Sequence, residues 1–427
     1  MLQTVRTFSI LFALLLLLLP ASTTPSWALD YDLGLDLGGS YNSHDNYLDN
    51  DGLKRVDRLH FTDDRSYFLV QADPRLTFTL REGVSGYIQA DVYWESSDEE
   101  ESDAESGADL TNAYLSLSRG KVTADIGLQT VSLGNGLIMA DDVPAAALNF
   151  DSGKGYMQLT LARALDSSPL AAAKIGARPG YFEDMAIFGA WFQDKDDAFA
   201  RAVPAIYQAL LEAESEGDLY WAGVSANLFL GKIIFSAVGA YQWGHLRLYN
   251  DSVDLHRDVS GYLADLSLEG NLAQWCSLEV FVFAASGDDT PLRGDLDAIV
   301  SIRPFNPRAT IFFDPEFLGR DAEDEELTFN GGFFGGVTAP GLTLSLMPTP
   351  ALSLDATVTT LYAQKALDDG SQWYGWEFDL GISYDFSRTY TLYAQGARFQ
   401  HGDYYESLLG EKADPALRFS IGLRANF

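Results

Sequence analysis

The chain ends Leu417-Arg418-Phe419-Ser420-Ile421-Gly422-Leu423-Arg424-Ala425-Asn426-Phe427. Every odd position is apolar and every even one is polar or small, so the period is two without a break. A segment of this kind is a β-strand with one greasy and one wet face. The alternation recurs in Phe378, Leu380, Ile382, Tyr384 and Phe386 against Glu377, Asp379, Gly381, Ser383 and Asp385, and in Val122, Ala124, Ile126 and Leu128 against Thr123, Asp125, Gly127 and Gln129. Val224 to Leu230 and Tyr262 to Leu268 repeat it.

In a soluble sandwich the polar face is the exterior; in an outer-membrane barrel lipid lies outside and the polar face lines a lumen. Three features favour the barrel over a sandwich or β-helix. Strands near ten residues long suit a tilted bilayer crossing and exceed the usual five or six of soluble sheets. Connections alternate between tight (Glu82-Gly83, Arg119-Gly120-Lys121, Gly231-Lys232, Pro348-Thr349-Pro350, Ser387-Arg388) and long polar segments. Aromatics such as Tyr93, Trp94, Trp191, Trp221, Trp243, Trp373 and Trp376 fall at strand ends, where interfacial girdles belong.

The start of the chain supports export. Arg6, the apolar run Phe8 to Leu19, Pro20 and the small residues of Ser26-Trp27-Ala28 read as a secretory signal over residues 1–28, with the mature protein, residues 29–427, beginning at Leu29. No later stretch approaches 18 consecutive apolar residues, so a transmembrane helix is not expected there. The fold expected is therefore all-β: a transmembrane antiparallel up-and-down β-barrel of about 18 strands, with 16 as the alternative. Leu296 to Arg303 completes the even count, Leu170 starts the weakest segment, and Gly134 to Gly153 reads as a loop that constricts the pore.

With the C-terminal residue in the periplasm, Asn42 to Asp64, Ser96 to Ser106, Phe313 to Asn330, Leu367 to Gln372 and Gln400 to Ala416 face outward. Within Asp194 to Asp218, Phe199, Val203, Ile206, Tyr207, Leu210 and Leu211 recur at helical spacing around Pro204. This count puts that segment on the periplasmic side, as a helix capping a loop or a gate.

Charge and composition narrow the function. The 427 residues include 61 acidic against 28 basic side chains, a net charge of -33, which opposes nucleic-acid binding because phosphates call for Lys and Arg. The lone Cys276 excludes an internal disulfide. His44, His60, His245, His256 and His401 form no HExxH, and Gly-x-Ser-x-Gly is absent, so neither an enzyme nor a cofactor is expected. The acidic runs Asp98 to Glu101 and Asp321 to Glu326 read as solvated exterior, with divalent cations bridging them to lipopolysaccharide as the sharper alternative. Asp49-Asn50-Asp51-Gly52 fails as a calcium loop, since Tyr47 and Arg58 occupy ligand positions.

Pore chemistry should come from the polar faces. Arg75, Arg81, Arg163, Arg303, Arg398, Arg418 and Arg424, with Asp125 and Gln129, are the candidate lining residues, and Arg178 and Arg308 also lie in or beside strands. Asp265, Asp355 and Asp379 should pair with some of these arginines. Such a lumen suits a polar or anionic solute.

Ile126-Gly127-Leu128-Gln129-Thr130-Val131-Ser132-Leu133-Gly134-Asn135-Gly136, followed by Asn149-Phe150-Asp151-Ser152-Gly153, resembles the strand-and-loop signature of the alginate-export family of outer-membrane porins. The likeness spans residues 66–165 and implies a monomeric barrel of about eighteen strands in a Gram-negative outer membrane, a basic lumen and passage of an anionic polysaccharide. Leu128 stands where that family usually has a basic residue. The alternatives are a general diffusion porin and a closed-barrel adhesin or receptor acting through its loops. Outer-membrane lipid and lipopolysaccharide are the expected surroundings, and the strand ending in Phe427 is the segment the barrel-assembly machinery would engage.

Overall fold

A computed structural model describes residues 30–48, 61–97, 105–165, 167–180, 182–195, 197–202, 214–250, 254–290, 294–314, 317, 327–329, 334–366, 370–409 and 412–427. The segment 1–28 and the acidic runs 98–101 and 321–326 lie outside these residues. The strands are β1 (Asp30–Leu48), β2 (Phe61–Arg81), β3 (Val84–Ser97), β4 (Glu105–Arg119), β5 (Val122–Leu133), β6 (Met139–Asp151), β7 (Gly155–Leu165), β8 (Ser168–Ala177), β9 (Phe182–Asp194), β10 (Glu214–Leu230), β11 (Ile233–Tyr249), β12 (Asp254–Ala273), β13 (Cys276–Ala285), β14 (Val300–Ile302), β15 (Leu327–Phe329), β16 (Val337–Thr349), β17 (Leu352–Tyr362), β18 (Trp373–Asp385), β19 (Tyr390–His401) and β20 (Ala416–Asn426). Two short helices, α1 (Ala198–Ala202) and α2 (Asp403–Leu409), lie in connections.

Each long strand pairs antiparallel with its sequence neighbours, β13 pairs with β16, and β20 returns to β1, closing an 18-stranded barrel. Leu35 and Phe427 exchange backbone hydrogen bonds of 3.1 and 2.9 Å at this seam. Closure removes the edges that an open sheet would leave unpaired.

Burial follows the sequence period. Leu161, Ile187, Val224, Leu266, Val280, Leu342, Leu380 and Ile421 are exposed on the outer wall, whereas their strand neighbours face the interior. A belt of exposed aliphatic side chains around a closed barrel is the surface that lipid would cover. Phe386 stacks on Tyr390 at 5.7 Å, and Phe427 meets Tyr390 at 6.1 Å, at the end that carries the tight turns. Tyr220, Trp243 and Tyr241 stack toward the opposite end. The tight turn 82–83 depends on Gly83, whose φ is 76° and where a Cβ would fall 2.3 Å from the Ser118 carbonyl oxygen.

The strand count matches the expected eighteen, but the strands differ. Met139–Asp151, expected within a loop, is β6; its Ala-rich inward face (Ala145, Ala147) hides a period of two inside a nearly all-apolar run. Leu296 to Arg303 is not a barrel strand, for only Val300–Ile302 pairs, inside the lumen. Restoring β6 reverses the direction of every strand between it and β13. The β9–β10 connection therefore lies at the long-loop end, not on the periplasmic side, and the helical residues described in it are Ala198–Ala202. Asp194 holds that helix by accepting hydrogen bonds from the amides of Ala198 (3.0 Å) and Phe199 (3.1 Å).

Candidate pore lining and constriction

Within the connection from β13 to β16, the described residues 296–314 and 317 fold into the barrel instead of extending outward, as a strap. Ile299, Val300, Ile302 and Ile311 are fully buried there. An apolar strip can occupy a polar lumen only if the wall satisfies its backbone. Trp221 on β10 donates to the Val300 carbonyl (3.2 Å), and Gln242 on β11 both donates to that oxygen (3.2 Å) and accepts from the Val300 amide (2.9 Å). The Glu377 carboxylate on β18, itself fully buried, accepts from the amides of Ile311 (2.7 Å) and Phe312 (2.9 Å).

Ion pairs fix the rest of the path. Arg303 binds Asp141 on β6 at 3.0 Å, whereas Arg308 binds Asp265 on β12 (2.9 Å) and Glu279 on β13 (2.8 Å) and lies over the Phe281 ring. Burial works against the Arg308 charge, but its hydrogen bonds to the Asp265 and Glu279 carboxylates and their negative charge outweigh it and hold the guanidinium above its ordinary pKa. Between these two arginines the chain passes from one wall to another in five residues, no more than ~17 Å of extended backbone. Asp314 then pairs with Arg418 on β20, and Phe317 packs against Tyr47 (5.6 Å), Phe399 (5.3 Å) and Tyr405 (6.3 Å).

A second inward element supports this strap. Gly134, Asn135 and Gly136, between β5 and β6, all take positive φ (59°, 54° and 91°), which turns the chain into the lumen. Side chains other than glycine and asparagine resist this conformation. Ile302 donates to the Ile138 carbonyl (2.6 Å), Ala140 to that of Arg303 (3.1 Å) and Phe305 to that of Gly136 (3.0 Å), so the turn and the strap are stitched together. Of the expected constricting loop Gly134 to Gly153, its first residues form this turn and Met139–Asp151 is strand β6.

Below the strap, toward the tight-turn end, β1, β2, β19 and β20 enclose an open polar chamber of about 550 Å³. Arg75 binds Asp36 through both terminal nitrogens (2.8 and 3.4 Å). Gly34 makes this possible, since a Cβ there would meet Arg75 Nε at 2.2 Å. Gln71 bridges Asp91 (3.0 Å) and Asp73 (3.4 Å), while Arg424 lies 5.6 Å from the Tyr393 ring. Gly38, with nothing near its missing side chain, leaves the chamber floor open. A smaller cavity of about 240 Å³ lies between the 134–136 turn and the wall carrying Gln129, Gln158, Lys174 and Ser225.

The expected lining residues therefore separate. Arg75 and Arg424 share the chamber, Arg303 lies on the strap and pins it to Asp141, and Arg418 pairs with Asp314 of the strap. Asp125 accepts from Asn149 (3.0 Å), and Gln129 donates to the Ala145 carbonyl (3.0 Å). Arg81 is exposed at the end of β2. Arg163 and Arg398 do not line the pore. Arg163 is in phase with the exposed Leu159 and Leu161, and Arg398 with the exposed Leu392, so both project from the outer wall. The long polar segments misled in one direction as well: Phe317, expected outside, is buried within the barrel, as are Tyr404 and Tyr405 of α2. Trp221, expected in an interfacial girdle, is buried and faces inward.

Asp36, Asp73, Asp141, Tyr393, Gln242 and Glu377 were not singled out by sequence. Their signal was available in principle, since each occupies a polar position in phase with the inward face of its strand. The gap of about fifty residues between two regular strands is the second clue, because loops so long are uncommon unless they carry function.

No protein-family model matches the chain, and no curated protein matches it. Among solved structures it is similar to the outer membrane protein OprD from Pseudomonas aeruginosa (TM-score 0.56, 11% identity, 95% of each chain covered). It is also similar to OccAB1 from Acinetobacter baumannii (TM-score 0.56, 9% identity, 95% of this chain and 98% of that one). A third is OccK2 from P. aeruginosa, solved in complex with glucuronate (TM-score 0.54, 10% identity, 93% and 98% covered). At these identities the likeness establishes the architecture, an 18-stranded barrel of the outer-membrane kind, over nearly the whole chain.

Proposed function

We propose that the chain is an outer-membrane channel that passes small, water-soluble molecules bearing a carboxylate and hydroxyl groups, without covalent chemistry. The observation that carries this reading is the pinned strap, residues 296–314 and 317, which crosses the lumen above a polar chamber holding Arg75 and Arg424. Arginine matches a carboxylate with two parallel N–H donors, and the neighbouring Gln71, Asp36 and Asp73 offer partners to hydroxyls. A structural neighbour solved with glucuronate supports the same solute class. Export through a cleaved signal over residues 1–28, residence among outer-membrane lipid, and assembly through the strand ending in Phe427 belong to this proposal.

The polymer expected from the alginate-export resemblance fits less well. A polyuronate strand would need a continuous wide bore, and the strap crosses from β6 to β12 and β13 within five residues. One observation favours a second reading, a general diffusion porin: Asp36, Asp73, Asp125, Asp141, Asp265 and Asp355 make the inward face more acidic than basic.

Planar-bilayer recording of the refolded mature protein separates these readings. The proposal expects current interrupted by millimolar monomeric uronate and unaffected by a polyuronate. Polymer block would favour polysaccharide passage, whereas cation-selective current indifferent to both sugars would favour the general porin and overturn the proposal.

A further inference from the structure

Arg398 stands on the outer wall in a setting that solute passage does not use. In the lipid-facing lattice, Gly396 on β19 lies between Leu380 on β18 and Phe419 on β20. One step nearer the long-loop end, Arg398 lies between Phe378 and Leu417. Together these residues line an open cleft of about 370 Å³. Its floor is bare backbone, because a Cβ at Gly396 would find only the Arg418 carbonyl oxygen, at 3.9 Å. The flanking strands are two inter-strand spacings apart, roughly 10 Å, which leaves a slot for one hydrocarbon chain.

The depth of this slot is readable from the strand. Arg398 follows Tyr390, in the periplasmic aromatic belt, by eight residues; at ~3.4 Å per residue and a tilt of ~40° it stands about 21 Å above that belt. The apolar band of such barrels is about 25 Å tall, so the guanidinium reaches the outer headgroup level while Gly396 remains at acyl depth. Among the described residues Arg398 has one hydrogen bond, to Gln400 Oε1 at 3.3 Å, and no carboxylate pairs with it. Asp45, which lines the far side of the same cleft, occupies the same row two strands away, about 10 Å distant by strand spacing, and makes no ion pair with Arg398. An exposed cation facing lipid, on a chain of net charge -33, calls for an anion supplied from the lipid side.

We infer that the Gly396–Arg398 cleft seats one lipid A molecule of the outer leaflet, its phosphate on Arg398 and one acyl chain in the Gly396 slot. A planar guanidinium holds phosphate oxygens through paired N–H donors, and the apolar rims hold the chain. The smooth-walled slot beneath a single charge fits a phosphorylated acyl lipid better than a flat protein surface.

Native mass spectrometry of the full mature protein in detergent, titrated with hexa-acylated bisphosphorylated lipid A, tests this assignment. Arg398→Gln should weaken binding roughly tenfold, the loss of one charge-assisted contact, and Arg398→Lys should restore part of it. Gly396→Leu, which fills the slot, should weaken it comparably, while Arg163→Gln, on a distant part of the outer wall, should leave it unchanged. Fully dephosphorylated lipid A should bind the parent no better than lipid A binds Arg398→Gln. Unchanged lipid A binding by both Arg398→Gln and Gly396→Leu overturns the inference. Folding of each variant is read independently from its conductance, which the cleft does not touch.

Discussion

At the residue scale, two arginines in one chamber have unequal freedom. Arg75 is committed to Asp36 through two hydrogen bonds, whereas Arg424 rests against Tyr393 and keeps its donors toward the open volume. Replacing Arg424 with Gln should therefore weaken uronate block by about tenfold, the cost of one charge-assisted contact. Asp36→Asn should act in the opposite sense, releasing Arg75 and tightening block by a few fold. A titration of channel current against uronate concentration reads both, and equal insensitivity of the two variants would remove the chamber from solute recognition. Arg308 represents a different role. It lies largely buried between Asp265 and Glu279, so Arg308→Ala leaves two inward carboxylates facing one another at a cost of about 3–5 kcal/mol. The expected result is a strap that detaches, seen as noisy, flickering single-channel current.

At the element scale, the outward and inward faces were legible where a long strand alternates strictly, as Leu417 to Phe427 does. What escaped were segments where alternation is masked or the lumen replaces water. In β6, alanines fill both faces, so Met139–Asp151 read as loop. In the strap, residues 296–303 read as a membrane strand because Ile299, Val300 and Ile302 are apolar, yet that apolarity serves burial against Trp221 and Ile138 inside the barrel. The same two misreadings reversed the side assigned to the β9–β10 connection. Its true side is open to test in Cys276→Ser protein carrying Arg201→Cys, an exposed position on α1. A membrane-impermeant maleimide should label it on intact cells; protection on intact cells with labelling only after lysis would restore the periplasmic placement. The 134–136 turn makes a further demand. Gly134→Val would place a β-branched residue at φ 59° and crowd Ile138 at about 3.1 Å, so the inward turn should loosen and current should become unsteady.

At the scale of the whole molecule, the barrel is a sheet with its two faces exchanged relative to a soluble protein, and one connection is turned inward. Net charge was readable from composition but its distribution was not: arginines expected to line a basic lumen are spent on Asp36, Asp141, Asp265, Glu279 and Asp314, and two of them face lipid. The pairing partners lie 39 to 162 residues apart in the sequence for Arg75–Asp36 and Arg303–Asp141, a separation that local patterning does not encode. The central claim is that the strap, residues 296–314 and 317, sets the width and selectivity of the lumen. It is tested most directly by comparing single-channel conductance of the mature protein with that of a variant in which residues 288–334 are replaced by a short Gly-Ser linker. The account predicts a severalfold rise in conductance with loss of uronate block and admission of larger neutral sugars. Conductance and block equal to those of the parent would contradict it.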